Sequence, residues 1–166
     1  MNKLITLLLV VGLCVLESCD KEKEEIKTYS FKDQLMAGKI DGQVWIYQDG
    51  IAESTTVGIA RTLSFSLFLN QPSGQGCNAT FPVSGSQVSF LLLDVLGLYI
   101  INKTNPYSLD GSTSLTMTTS SGEMLFAKRG AIEITNVSST SVSGRIDAYA
   151  DDNNYINGNF EVLICK

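Results

Sequence analysis

Carboxylates are the side chains of this sequence best suited to chemistry, because the chain contains 17 acidic residues and no histidine. The lack of histidine removes Ser-His-Asp and Cys-His nucleophile systems, histidine bases and nearly all catalytic zinc sites. Two carboxylates alone can hydrolyse a glycosidic bond. The candidates for such a pair are Asp94, Asp110, Glu123, Glu133, Asp147 and Glu161. Most fall in predicted turns or on polar strand faces, so we predict no catalytic residue and keep a glycan hydrolase as an alternative.

Oxygen-bearing side chains also gather near the end of the chain. They are Asp151, Asp152, Asn153, Asn154 and Asn157. Calcium favours such ligands, but the spacing differs from that of an EF-hand, and runs of Asn and Asp are ordinary in hairpin loops. We predict neither a metal nor a cofactor and leave open whether this loop binds a cation.

Aromatic side chains could form a stacking surface for a sugar or a peptide. The candidates are Trp45, Tyr47, Tyr99, Tyr107, Tyr149 and Tyr155. In a β domain most such side chains pack in the core or against cross-strand neighbours. A nucleic-acid partner is disfavoured, because the net charge is −5 and the longest basic run is Lys128-Arg129.

The elements that must position these residues are short strands. From residue 30 onward, apolar residues alternate with polar ones and Gly, Asn, Asp and Ser interrupt the runs, whereas no long helical period occurs. Asp41-Gly42 between two such runs predicts a type I′ hairpin. Further strands are predicted at residues 57–60, 63–69, 77–81, 87–95, 98–102, 114–119, 123–128, 130–135, 143–149 and 158–165. Residues 90–95 are almost wholly apolar, which indicates a central strand, and the last three strands form a meander.

These patterns predict an all-β domain over residues 30–166. We expect an antiparallel β-sandwich or a flattened β-barrel of about nine to eleven strands, preceded by a signal peptide and a charged tether.

The N-terminus has the features of a secretory signal. Residues 4–16 are continuously apolar and follow Lys3. The run is shorter than the roughly 20 residues needed to span a bilayer and fits the apolar region of a signal peptide. It ends at Leu16-Glu17-Ser18-Cys19, which resembles the bacterial lipobox, although Glu17 departs from the usual small or uncharged residue. Leu-x-Ser-Cys with a polar x resembles Bacteroidetes lipoproteins.

The lipobox resemblance implies a signal peptide at residues 1–18, lipid attachment at Cys19 and a tether at residues 19–29. A plain secretory signal with a chance cysteine is the alternative. Residues 20–27 are nearly all charged, which predicts an extended, solvated segment. Lys23-Glu24-Glu25 resembles the export signal that sends Bacteroidetes lipoproteins to the outer leaflet of the outer membrane. Asp20 after the lipidated cysteine would instead resemble an enterobacterial inner-membrane retention signal, so the membrane and leaflet stay open. We expect an outer-membrane protein exposed at the cell surface.

Two of the four cysteines remain once Cys14 leaves with the signal and Cys19 carries lipid. Cys77 and Cys165 form an even pair in an exported chain, where disulfides are the default. We predict a disulfide, with two buried free thiols as the alternative.

A wider resemblance covers residues 39–165. Its motifs are Lys39-Ile40-Asp41-Gly42-x-x-Trp45, Gly130-x-Ile132-x-Ile134-Thr135 with Val142-Ser143-Gly144-x-Ile146, and Asn157-Gly158-x-Phe160-x-Val162. They resemble small uncharacterised Bacteroidetes lipoproteins, which implies a β-sandwich or lipocalin-like domain and transfers no functional residue. We expect a membrane-anchored, non-catalytic binding module for a surface glycan or protein. A lipocalin-like carrier of a small ligand is the alternative, and the oligomeric state stays open.

Overall fold

The chain is all-β in the computed structural model, which describes residues 29–57, 60–69, 77, 85–101 and 112–165. These residues contain twelve strands and no α-helix. The strands are β1 (Ala37–Ile40), β2 (Gln43–Ile46), β3 (Asp49–Val57), β4 (Ala60–Phe68), β5 (Gln87–Leu93), β6 (Gly97–Ile101), β7 (Ser112–Thr113), β8 (Leu115–Thr118), β9 (Met124–Phe126), β10 (Arg129–Val137), β11 (Ser141–Asp151) and β12 (Asn154–Cys165). The predicted all-β class is confirmed.

All twelve strands belong to one sheet, which curls into a half-barrel. Its order is β7-β6-β10-β11-β12-β3-β4-β5-β8-β9, with the β1–β2 hairpin attached to β12. Pairing is antiparallel except between β12 and β3 and between β6 and β7. The expectation of a purely antiparallel arrangement is therefore corrected at these two places. The strand count exceeds the expected range because β7, a two-residue segment that was not predicted, pairs with β6 as a separate strand.

Two of the predicted local structures form where the sequence places them. Asp41 and Gly42 have φ of 55° and 71°, the left-handed geometry of a type I′ turn, and join β1 to β2. The last three strands, β10 to β12, form the expected meander. Their alternating side chains bury one face and leave the other in partial contact with solvent.

The β3–β4 hairpin differs from the prediction. Val57 pairs with Ala60, so residues 57–60 are the place where two strands meet rather than a strand of their own. The nine-residue strand β3 before this turn was not predicted, because its second half, Glu53-Ser54-Thr55-Thr56, lacks apolar alternation. The predicted strand at residues 77–81 lies outside the described residues, apart from Cys77.

The core fills the concave side of the sheet. Three aromatic side chains, Phe65, Phe90 and Phe160, meet at its centre with ring centroids 4.5 to 6.0 Å apart. All three are buried, as are Ile132 and Ile146, which pair across β10 and β11. Edge-to-face and stacked rings of this kind add to the stability given by area burial.

A disulfide joins Cys77 to Cys165, with Cα atoms 5.2 Å apart and a sequence separation of 88. Cys165 is the last residue of β12 and pairs with Glu53 of β3. The bond therefore ties the segment between β4 and β5 to the point where β12 meets β3. It is the pairing that the even cysteine count favours.

Candidate functional site

The connection between β5 and β6 exposes an unusual concentration of apolar side chains. Leu93, Val95, Leu96 and Leu98 are 44%, 52%, 62% and 51% exposed, and we call these four residues the apolar tip. Single exposed apolar residues are ordinary, but contiguous apolar patches on a folded protein mark interaction sites. The apolar tip is the candidate functional site.

The strand pattern explains why these side chains point outward. Along β5 the alternation buries Phe90 and Leu92, so Leu93 faces outward. In β6, Leu98 pairs with Glu133, whereas Tyr99 pairs with the buried Ile132 on the inner face. Only three residues separate the two strands, so Val95 and Leu96 project from the turn itself.

The turn that carries the apolar tip is held by hydrogen bonds within the domain. Asp94 N–H donates to the Arg61 carbonyl (3.1 Å), and Val95 N–H donates to the Leu93 carbonyl (2.8 Å). The Tyr99 hydroxyl donates to the carbonyls of Val95 (2.9 Å) and Leu93 (3.2 Å). Burial, aided by the charge of Asp94, raises the pKa of Tyr99 and keeps this hydroxyl a donor. These hydrogen bonds within the domain hold the backbone of residues 93–95 in place.

The one charged residue of the turn is compensated inside the domain. Asp94 Oδ2 lies 2.9 Å from Arg61 Nε, and the Asp94 side chain is only 10% exposed. Arg61 is half exposed, and its Nε also donates to Ser54 Oγ at 2.9 Å. The other carboxylate oxygen, Oδ1, is buried and has no hydrogen-bond partner among the described residues. Within that part of the chain, Arg61 is the cation that compensates the charge of Asp94.

The segment before β1, from Ser30 onward, lies across the outer face of β11 and β12. Asn157 is its main partner: its side chain donates to the Ser30 carbonyl (2.9 Å) and accepts from Lys32 N–H (2.8 Å). Asp147 accepts from Ser30 N–H (3.1 Å) and from the Asn157 amide (3.0 Å). The Arg145 guanidinium lies over the Phe31 ring at 4.6 Å. These contacts hold residues 30–32 against β11 and β12.

The candidate carboxylates do not form an acid–base pair among the contacts of the described residues. Asp94 pairs with Arg61, Glu133 pairs with Arg145, and Asp147 holds the N-terminal segment. Glu123 and Glu161 are exposed, and Asp110 lies outside the described residues. The three with partners therefore stabilise the fold.

The Asp and Asn side chains of residues 151–157 bond to one another and to neighbouring elements. Asp151 Oδ1 accepts from Asn153 N–H and Asn154 Nδ2, both at 2.9 Å. Asp152 accepts from the Tyr149 hydroxyl (2.7 Å), and Asn154 Oδ1 accepts from Asp41 N–H (2.7 Å). In the part of the chain that the structure describes, no group of three or more His, Cys, Asp or Glu residues could hold a metal ion.

The candidate aromatics are divided between the core and the outer face. Trp45 is buried, and its indole N–H donates to the Ser86 carbonyl at 3.1 Å. Tyr47 is also buried and donates to the Glu161 carbonyl. Tyr149 and Tyr155 are paired on the outer face of β11 and β12, where Arg129 lies 4.2 Å from the Tyr149 ring. Tyr107 lies outside the described residues.

Sequence reasoning missed the apolar tip because it assigned the apolar run of residues 90–95 to a buried strand. The signal that could have found the tip is the length of the apolar run: extended to Leu96 and Leu98, it exceeds an ordinary strand of five to six residues.

The predicted signal peptide, Cys19 and the predicted tether lie outside the described residues, apart from Tyr29. Within those residues, no helix has the length and apolar character required to cross a membrane. No protein-family model, curated protein or solved structure matches the chain.

Proposed function

We propose that this protein is an exported lipoprotein, anchored through Cys19, that acts as a non-catalytic interaction module. The apolar tip is its contact surface. One observation carries this role: four apolar side chains are exposed in and beside a turn in which the N–H groups of Asp94 and Val95 and the carbonyls of Leu93 and Val95 are hydrogen-bonded within the domain. A preorganised contact surface loses little conformational entropy on binding.

The anchoring part of the proposal rests on the sequence. An apolar run of signal-peptide length ends at Leu16-Glu17-Ser18-Cys19, and a charged tether follows it. The resemblance to Bacteroidetes lipoproteins favours the outer membrane with the domain facing outside. Two or more lipid chains are needed for stable attachment, because one chain binds only reversibly.

A flattened barrel is the form of the domain that strand pairing supports, in preference to a sandwich. β7 pairs with β6 near one end of the sheet, and β8, which follows after one residue, pairs with β5 near the other. Thr113 Oγ1 of β7 also donates to the Leu91 carbonyl of β5 at 3.2 Å. The consecutive short strands β7 and β8 thus connect the β6 side of the sheet to the β5 side. The packed rings of Phe65, Phe90 and Phe160 weigh against a lipocalin-like carrier, which needs an interior cavity.

Metabolic labelling with an alkyne fatty acid in the native host tests the anchor. The unmodified protein and the Cys14→Ala control should incorporate the label, and Cys19→Ala should not. Protease added to intact cells should then remove the labelled protein. Labelling of Cys19→Ala equal to that of the control would refute the anchor, and protection from protease would move the domain to the periplasmic side.

A further inference from the structure

We infer that the apolar tip inserts into the lipid bilayer to which the chain is anchored, so that the domain is held to the membrane at two points. This inference rests on the proposed lipid anchor and names the partner of the same site. The tip is a turn with four apolar side chains, whereas a specific protein interface typically involves about 20–30 residues on each side. A bilayer needs no complementary shape and accepts a projecting turn.

The hydrogen bonds of the turn suit an apolar environment. A backbone group that enters lipid must already have a partner in the protein. The N–H groups of Asp94 and Val95 donate within the domain, and the carbonyls of Leu93 and Val95 accept from the Tyr99 hydroxyl. The tip can therefore bury its side chains in the membrane without leaving these groups unpaired.

The distribution of charge around the turn also favours contact with lipid. Asp94 is the only ionisable side chain between Leu93 and Gly97 that carries a charge at neutral pH. It is directed inward to Arg61 rather than outward with the apolar tip. Charged side chains are costly in the hydrocarbon region unless they are paired. The four side chains of the apolar tip are uncharged, and Glu133, the cross-strand neighbour of Leu98, is paired with Arg145.

The tether is long enough for the anchor and the tip to share one membrane. The distance from the tip to the N-terminal segment follows from the strand register. Gly97 of β6 is in register, across β10 and β11, with Phe160 of β12. Asn157, three residues before Phe160, donates a hydrogen bond to the Ser30 carbonyl. Three residues and three strand spacings correspond to about 10 Å along the strands and about 15 Å across them. Extended chain between Cys19 and Tyr29 spans up to roughly 35 Å. The anchor therefore raises the local concentration of the tip at the bilayer surface.

Depth-dependent fluorescence quenching tests the insertion. The mature protein with Leu96→Trp or Val95→Trp, purified with its anchor, is placed in phospholipid vesicles with brominated acyl chains. The signal of the unmodified protein, whose one tryptophan is the buried Trp45, is subtracted. The control is Val44→Trp, because Val44 is 68% exposed on β2, a strand that pairs with β1 and with neither β5 nor β6.

We expect brominated lipid to quench the tip tryptophans and their emission to shift to shorter wavelength, while the Val44→Trp signal stays sensitive to aqueous acrylamide. Emission from both tip variants that acrylamide quenches and brominated lipid does not would overturn the inference. Photo-crosslinking from position 96 to a protein and not to lipid would do the same and would assign the tip to a protein partner. Loss of labelling at Cys19 is a separate result, because it would remove the anchor whatever the tip does.

Discussion

At the level of single residues, the turn between β5 and β6 depends on the ion pair formed by Asp94 and Arg61. Arg61→Ala leaves a nearly buried carboxylate without its cation, with Oδ1 already unpartnered. We expect the free energy of unfolding to fall by about 1–3 kcal/mol, as measured by urea denaturation. Arg129→Ala is the matched control, because Arg129 is exposed and its guanidinium packs on the Tyr149 ring at the outer face, so its removal should cost less. Equal losses would contradict this account of the turn.

Tyr47 makes the free energy of unfolding depend on pH in the alkaline range. Burial, followed by the charges of Asp49 and Glu161, raises the pKa of Tyr47 above its ordinary value. The unfolded chain therefore loses this proton at a lower pH than the native protein does. The stabilisation by the neutral phenol is complete below about pH 10 and declines above it.

Tyr47→Phe tests this pH dependence. Because the hydroxyl donates to the Glu161 carbonyl, the variant should lose about 1 kcal/mol at neutral pH. Urea denaturation at several pH values should then show a shallower decline above pH 10 for the variant than for the unmodified protein. Parallel declines would mean that other groups cause the alkaline loss.

At the scale of elements, the N-terminal segment packs against β12 at a position that only glycine can occupy. Gly158 has φ of +136°, and a Cβ there would lie 2.7 Å from the Gln34 carbonyl oxygen and from Met36 Cα. Gly158→Ala should displace the segment, lower the free energy of unfolding by about 2–3 kcal/mol and expose residues 30–36 to protease. Gly122→Ala is the control, since its φ is +89° but its Cβ would meet no atom within 4 Å. A loss no larger than that of the control would show that the segment adapts.

The disulfide is a covalent link between two distant parts of the chain. In the chain-entropy model, a loop of 88 residues contributes about 4–5 kcal/mol. Reduction, or the paired change Cys77→Ser with Cys165→Ser, should shift the urea midpoint of unfolding downward by a corresponding amount. An unchanged midpoint in the reduced protein would mean that the segment between β4 and β5 is held by other contacts.

The elements also show what local sequence can predict. Asp41-Gly42 identifies its turn because the I′ geometry requires left-handed backbone at both residues, and the period of two in β11 and β12 identifies strands with one buried face. The parallel pairing of β12 with β3 depends on contacts more than 100 residues apart, and no local pattern encodes it. The apolar tip was missed because hydrophobic alternation predicts strands and does not tell where an apolar run leaves the sheet.

At the scale of the whole molecule, the outer face, the core and the turn between β5 and β6 have separate roles. Asp147 and Asn157 on the outer face bind the segment that begins at Ser30, the rings around Phe90 fill the interior, and Leu96 is exposed in the turn between β5 and β6. In the proposed function, the membrane anchor brings the domain to its site of action and the apolar tip makes the contact.

The most direct test of this division is photo-crosslinking in the native host. A photoreactive amino acid replaces Leu96 in the anchored protein, and in a matched strain it replaces Val44, which is equally well exposed. We expect a crosslinked product, to lipid or to protein, from position 96 and none from position 44. No product from position 96, or the same products from both positions, would contradict the claim that the apolar tip is the contact surface.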